Sequence, residues 1–385
     1  MTRQCSKNWL STYMDYTERQ ESPELFHRWV GISCLASTMG RRFSLNRDAY
    51  TLYPNHYVIL VADTAMCRKS TAVLIGSKLL DAAEVIEISA ERITNADLWK
   101  QLGLLSESTG SAEMLTVADE LSNYLSSEET HKGIVTTLTR LYMCPDYLEN
   151  RTKTAGVDML RNCCLNILAA TTPRDLSEII PSGATASGFV PRLHIVHQEV
   201  PRPKIYKPRL ELSLRPKLIA DLKHIRSIGG PMALSAEADR WFQDWYENEL
   251  RPPEDPCLDG FYGRKHDYVA KLGMILSAAE RDDRVIEKRY MTKALQFVEE
   301  IETFMPSMYE AVESTESLKY ADLVLSQIRD HKQLTIGQLM RLQGRRMDQS
   351  ELVEVIKFLE TSQQIMSQPT TKGVVYRLAG RRRSE

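Results

Sequence analysis

Two short segments carry residue types whose spacing suits phosphate chemistry. The first is Asp63-Thr64-Ala65-Met66-Cys67-Arg68-Lys69-Ser70-Thr71. It follows the apolar run Tyr57–Val61, which reads as a strand buried on both faces, and precedes a helix expected from about Ser70 to Leu80. In the motif G-x-x-x-x-G-K-[ST] the backbone N–H groups and the helix N-terminus cradle phosphates. Lys69 would then meet the β/γ-phosphates, and the Ser70 hydroxyl would ligate Mg²⁺. Asp63 and Arg68 stand where that motif has its two glycines. A carboxylate at Asp63 repels a triphosphate unless it points away, and Arg68 partly offsets it. Taken alone, the segment also reads as an ordinary strand, turn and helix with a chance Lys-Ser-Thr.

The second segment is Met114-Leu115-Thr116-Val117-Ala118-Asp119-Glu120, an apolar strand ending in two acids. Asp119 would hold Mg²⁺ through water and Glu120 would polarise an attacking water. Many strands end in acids, but this one comes 50 residues after Lys69 in the same alternating block, and the two segments together favour a nucleotide site. A third segment, Asn166–Pro173, ends a strand in Thr171 and Thr172, where a hydroxyl could watch a γ-phosphate. Its bland alternative is a pair of threonines before a helix opened by Pro173.

Elements that could position these residues follow from apolar periodicity. Trp9, Leu10, Tyr13 and Tyr16 recur at helical spacing, and Ser22-Pro23-Glu24 predicts a second helix with Ser22 as its N-cap. Strands are expected at Tyr57–Val61, Val85–Ser89, Met114–Ala118, Leu165–Ala170 and Leu193–Val196, with helices between them, which argues a mostly parallel sheet. Prolines 201, 203 and 208 among basic residues read as a linker. Residues 209–312 read as helical, with helices at Leu218–Ile225, Ala236–Leu250, Tyr268–Ala279 and Thr292–Met305. The last segment offers helices at Leu318–Asp330 and Thr335–Arg341, a third opened by Asp348-Gln349-Ser350-Glu351, and a hairpin around Lys372, the layout of a winged helix-turn-helix.

With 385 residues, the chain suggests two or three domains. Its 43% apolar and 26% charged residues are ordinary for a globular protein and exclude a collagen-like, disordered or disulfide-scaffold chain. The net charge is −2, so nucleic acid would have to be met by local patches. Arg151, Lys153 and Arg161 against Asp158 form one such patch, with a plain surface loop as its alternative. Another lies between Arg341 and Arg383, where basic residues outnumber acids by five. The helix expected to read the major groove carries Glu351, Glu354 and Glu360. Base reading is therefore disfavoured, and phosphate contact by Lys372, Arg377, Arg381, Arg382 and Arg383 is expected instead. A protein-binding role for this domain is the competing reading. The seven cysteines form no C-x-x-C pair and are expected to be reduced thiols. His194 and His197 should point to opposite faces of a strand and not form a metal pair. Neither a spanning helix nor the apolar core of a signal peptide is visible, so a cytoplasmic protein without a membrane partner is expected.

The order of these motifs resembles the AAA+ type of P-loop ATPase. More narrowly, it resembles the helicase-like ATPases of phages and mobile elements, often found beside or fused to primases and distantly similar to MCM helicases. The resemblance covers about residues 5–280 and rests on several matching stretches. These are Glu24, His27 and Trp29; Tyr53-Pro54-Asn55-His56-Tyr57-Val58-Ile59-Leu60-Val61; Arg68-Lys69-Ser70-Thr71; Ala118-Asp119-Glu120; Thr171-Thr172-Pro173; and Ser187-Gly188-Phe189-Val190-Pro191-Arg192. Members tend to carry an arginine before the loop lysine, as Arg68 does, while Asp63 departs from their usual glycine. The resemblance implies an α/β P-loop core with N-terminal helices, a helical lid and a C-terminal winged helix. It implies Thr172 at the sensor-1 place, Arg192 as an arginine finger reaching a neighbouring subunit, and Arg264 as a sensor-2 arginine in the lid. Surface or strand-edge arginines are the alternatives for the last two.

The organisation expected is an N-terminal helical region at 1–50, an ATPase core at 51–203, a helical lid at 204–315 and a winged helix-turn-helix at 316–385. The leading reading is a ring-forming helicase or translocase that uses ATP and Mg²⁺. It would be hexameric, act on single-stranded or forked DNA in replication, work beside a primase, and reside in a bacterial or phage-infected cytoplasm. The competing readings are a nucleotide-switched scaffold or loader that oligomerises on DNA with little unwinding, and a DNA-binding module with an inactive ATPase.

Overall fold

The computed structural model describes residues 2–89, 93–121, 128–152, 156–179, 188–253, 258–306, 320–321, 323–343, 347, 349–362, 364–370 and 373–379. The chain divides into two units, Met1–Met308 and Tyr309–Glu385. No helix among the described residues is long and apolar enough to cross a membrane.

The first unit is α/β. Its strands are β1 (Phe43–Asn46), β2 (Thr51–Leu52), β3 (Tyr57–Val61), β4 (Glu87–Ile88), β5 (Glu113–Ala118), β6 (Tyr147–Thr152), β7 (Gly156–Arg161), β8 (Cys164–Thr171), β9 (Leu193–His197), β10 (Gly230–Leu234) and β11 (Val285–Ile286). Five of them form a wholly parallel sheet in the order β4-β5-β8-β3-β9, compatible with a P-loop-like core. Every residue of β3 and β8 is buried, which is why β3 reads as a continuous apolar run and β8 as one broken only by Asn166, whose Oδ1 accepts from His56 N at 2.9 Å. The connection leaving β3 runs to the β4 edge, whereas the one leaving β8 passes β3 to reach β9. In open α/β sheets, ligands sit beyond the carboxyl ends of the strands at such a reversal.

The helix α1 (Trp9–Thr17) is capped by the Asn8 side chain, and α2 (Glu24–Met39) follows Pro23. Ser22 does not cap α2 as its position predicts. Its hydroxyl instead donates to the Arg68 carbonyl at 3.0 Å, tying the chain before α2 to the loop after β3. The helix after that loop, α3 (Lys69–Ala83), packs closely on α2, because a Cβ placed at Gly76 would lie 2.3 Å from Val30 Cγ1.

A second sheet, β11-β10-β1-β2, has no local signature. It pairs β1 in parallel with β10, nearly 190 residues later, and β10 in parallel with β11. The segment that reads as wholly helical therefore contributes two strands. It is also bonded to the N-terminal helices and to the main sheet. Trp9 Nε1 donates to the Leu218 carbonyl at 3.0 Å, and Arg226 Nη1 donates to the Glu113 carboxylate at 2.8 Å. Residues 199–211 form mostly irregular backbone, yet Glu211 N donates to the Tyr16 carbonyl at 3.0 Å and Arg202 Nη1 to the Glu18 carbonyl at 2.9 Å. They line the first unit and do not hang free of it.

In the second unit, helical residues 323–331 are followed by β12 (Leu334–Thr335), helices Ile336–Gln343 and Gln349–Thr361, and β13 (Ile365–Thr370) and β14 (Gly373–Leu378). The three strands are antiparallel in the order β12-β14-β13. Leu352, Val355, Ile356 and Leu359 face the core, as their spacing predicts.

Candidate functional site

The carboxyl end of β3 turns through an exposed loop, Asp63–Met66, into buried Cys67 and then α3. Ala65 at φ 62° and Arg68 at φ 48° are both left-handed, a conformation that costs a non-glycine residue about 1–2 kcal/mol. Arg68 holds the second glycine position of the phosphate motif and still adopts the backbone that glycine adopts freely. Two neighbours hold it there: Ser22 Oγ bonds its carbonyl, and its Nε donates to Glu21 Oε2 at 3.0 Å.

Lys69 is the first residue of α3 and is 9% exposed. Its Nζ donates to the carbonyls of Ala62 at 2.6 Å and Asp63 at 3.1 Å. Burial lowers its pKa, while the charges of Glu120, Cys67, Asp63 and Asp175 act to raise it. Ser70 and Asp119 are exposed, and Glu120 is half-buried, at the same ends of the strands. Thr171 Oγ1, at the end of the intervening strand β8, donates to Glu120 Oε1 at 3.2 Å. Lys69, Glu120 and Thr171 are thus brought together across β3, β8 and β5.

Thr172 is placed differently from the role its resemblance implies. Its hydroxyl donates to Asp175 Oδ2 at 2.6 Å and accepts from Asp175 N at 3.0 Å, capping the helix Pro173–Ile179. Thr172-Pro173-Arg174-Asp175 is a capping signature, so the sequence did carry a signal that Thr172 is engaged locally and that Thr171 is the hydroxyl left for the acids.

The groups that could hold Mg²⁺ are Ser70 and Asp119, both oxygen donors. Among the described residues no three His, Cys, Asp or Glu side chains form a metal cage. Mg²⁺ commonly takes one or two protein oxygens and completes its shell with waters and substrate phosphates, so this sparse set fits a nucleotide-borne ion.

Arg192 and Arg264 lie elsewhere. Arg192 directly precedes β9, whose first residue Leu193 is in register with Tyr57 at the start of β3. It therefore sits at the amino ends of the strands, roughly 16 Å along a five-residue strand from the Lys69 loop. Arg264 joins it there, in a cleft of about 290 Å³ that also includes Tyr142, Asp267 and Tyr268. A Cβ at Gly188 would meet Arg192 Nη1 at 2.9 Å and Arg264 Nη2 at 3.8 Å, which shows how closely the two guanidinium groups converge. Arg192 is 9% exposed and bonded to the Gly188 carbonyl, so it is held inward and does not project freely. Burial first, and then the Arg264 charge, lower its pKa.

Of the basic residues expected to contact DNA, Arg151 lies on β6 of the antiparallel hairpin β6–β7. Arg41 braces the base of that hairpin, donating to the carbonyls of Cys144 at 2.5 Å and Cys163 at 3.1 Å. Arg377 is exposed on β14 and bonded to Gln333. Lys153, Lys372 and Arg381–Arg383 lie outside the described residues. His194 is buried 2.6 Å from His56 and stacks on Trp29, whereas His197 lies 3.8 Å from Glu199. The two histidines share no ligand cluster among the described residues. Comparison with protein-family models and with curated proteins finds no match for this chain.

Proposed function

We propose that the protein is an ATP-dependent, ring-forming DNA helicase or translocase of a phage or mobile element, acting in replication with DNA and a primase as partners. The observation that carries this reading is the convergence of Lys69, Thr171 and Glu120 at the carboxyl ends of three neighbouring parallel strands. In it, Lys69 leaves the Ala62 and Asp63 carbonyls to meet the β/γ-phosphates, and Glu120, oriented by Thr171, polarises the attacking water. Ser70 and Asp119 would hold Mg²⁺, which would supply positive charge beside the phosphates. Arg192 and Arg264 sit too far from their own chain's loop to serve it, which suits a site completed by a neighbouring copy. Helix and strand order in residues 320–379 suits a winged helix contacting DNA phosphates.

ATP hydrolysis with and without single-stranded DNA, together with unwinding of a forked duplex, tests the reading. DNA-stimulated hydrolysis and ATP-dependent strand separation are expected. Absence of both with a folded protein would overturn it. Two observations favour the scaffold reading: two non-glycine residues are left-handed in the loop, and the Lys69 amine is already satisfied by two carbonyls. That protein would assemble on DNA with ATP, turn over slowly and separate no strands.

A further inference from the structure

Beside the Lys69 loop lies a cleft of about 490 Å³, lined by Gln20, Glu21, Ser22, Arg68, Thr71 and the segment from Lys204 to Pro208. We infer that this cleft takes the base and ribose of the nucleotide whose phosphates the loop holds, and that Gln20 selects adenine. The inference rests on the phosphate-loop reading above.

The cleft has the size of small-ligand sites, and it opens onto the two residues that flank Lys69 and Ser70. A nucleotide with its phosphates on the loop would therefore pass its sugar over Thr71 into the cleft. The walls are built. Glu21 Oε1 accepts from Ile205 N at 2.8 Å, and its Oε2 accepts from Arg68 Nε at 3.0 Å. One carboxylate thus joins both walls and the loop. Arg209 N adds a bond to the Arg19 carbonyl at 3.3 Å. Preorganised walls reduce the ordering lost on binding.

Two side chains are left over by this framework. The Tyr206 ring is 94% exposed at the lip, with the Lys207 ammonium 5.5 Å from the ring centroid. An exposed ring beside a cleft offers a stacking platform for a base, since every base has a π-face. Gln20 is the opposite case. It is 6% exposed and lines the cleft, and its amide is not among the buried polar atoms left without a partner, so the amide end stays open at the cleft wall. An amide presents a donor beside an acceptor, which complements the N6 donor and N7 acceptor of adenine. Guanine offers two adjacent acceptors, N7 and O6, and would set one of them against the amide oxygen.

The test is calorimetric binding of AMP-PNP, GMP-PNP and inorganic triphosphate, each with Mg²⁺, to the full chain. AMP-PNP is expected to bind roughly tenfold or more tightly than either of the others, a difference of about one stacked and paired base. Tyr206→Ala, at an exposed position that does not endanger the fold, should weaken both nucleotides several-fold and leave triphosphate unchanged. Gln20→Leu should remove most of the preference for AMP-PNP over GMP-PNP. Lys69→Ala should weaken all three ligands. If triphosphate binds as tightly as AMP-PNP and Tyr206→Ala changes nothing, the cleft is not a base site, although the phosphate loop stands. If none of the three binds the wild-type chain, the phosphate loop and the base site fall together.

Discussion

Lys69 gives up two carbonyl bonds if it is to meet a phosphate, so its charge is already poised in the loop and already stabilised there. Lys69→Ala is expected to lower ATP hydrolysis at least a hundredfold, because the removed cation faces charge that grows in the transition state. Glu120→Gln should bind ATP as the wild type does while losing hydrolysis, since the amide keeps the shape and loses the base. Steady-state turnover beside equilibrium nucleotide binding measures both, and wild-type turnover in Lys69→Ala would remove the loop from the chemistry. The adjacent threonines separate by the same pair of measurements plus thermal unfolding. Thr171→Val releases Glu120 and should lower kcat about tenfold with little loss of binding. Thr172→Ala removes a helix cap and should cost about 1 kcal/mol of stability with turnover nearly unchanged. The reverse result would return Thr172 to the phosphate.

At the scale of elements, β3 and β9 are clamped over α2 by aromatic and imidazole contacts. His194 stacks on Trp29 at 5.1 Å and meets the Tyr268 ring edge-on at 4.6 Å. His56 Nδ1 and His194 Nε2 share a hydrogen bond, and their other ring nitrogens have no partner among the described residues. Neither ring nitrogen of His27 has one. Burial pushes the His27 and His194 pKa values down to about 3, with Arg202 adding to the first and Lys271 to the second. Burial, then the neighbouring His194 and Lys271, push His56 well down too. The unfolded chain takes up these protons near pH 6.5 and the folded chain refuses them until much lower pH. Stability is therefore fully present above 6.5 and lost as pH falls from there towards 3, by up to about 1.4 kcal/mol per histidine per pH unit. Urea unfolding at pH 7.5 and pH 5.5 checks this. His194→Phe, which keeps a ring, should flatten the slope, and an unchanged slope would remove the histidine cluster as its cause.

For the whole molecule, the separation of the Lys69 loop from the Arg192–Arg264 cleft matters most, because the two lie at opposite ends of one parallel sheet. If the cleft serves a neighbour's nucleotide, Lys69→Ala and Arg192→Ala chains, each inactive alone, should regain hydrolysis when mixed. Some interfaces then pair an intact loop with an intact arginine. Two inactive variants that assemble together and stay inactive would remove Arg192 from the interface. The division at Met308 makes a second expectation. Removing residues 317–385 should leave a folded ATPase with weaker DNA binding and a shallower salt dependence, since the proposed contacts are to phosphates. Unchanged affinity and slope in a filter-binding titration would assign the second unit to protein partners.

Local patterning was enough to read the five strands of the main sheet, because β3 and β8 are buried on both faces and leave runs that are apolar throughout or broken only by Asn166. It also located Lys69, Asp119 and Glu120 at the carboxyl ends of their strands, since a strand, a turn and a helix are written within a dozen residues. What it could not read depends on partners far away in the chain. Strand β1 forms because Phe43–Leu45 finds Gly230–Met232, and neither segment announces itself as a strand alone. Ser22, a helix cap by its neighbours, becomes a brace for Arg68 because α2 packs beside α3. A linker by composition, residues 204–208, becomes the wall of a cleft because Glu21 is there to bond it. Arg192 and Arg264, 72 positions apart, share one cleft only because the helix Lys265–Ala278, which Arg264 precedes, is tied to the segment before β9 by Tyr268 donating to the Pro191 carbonyl. Backbone preference and burial periodicity act over a few residues and are written locally, whereas which side chains end up facing one another is decided by packing among segments that only the folded chain brings together.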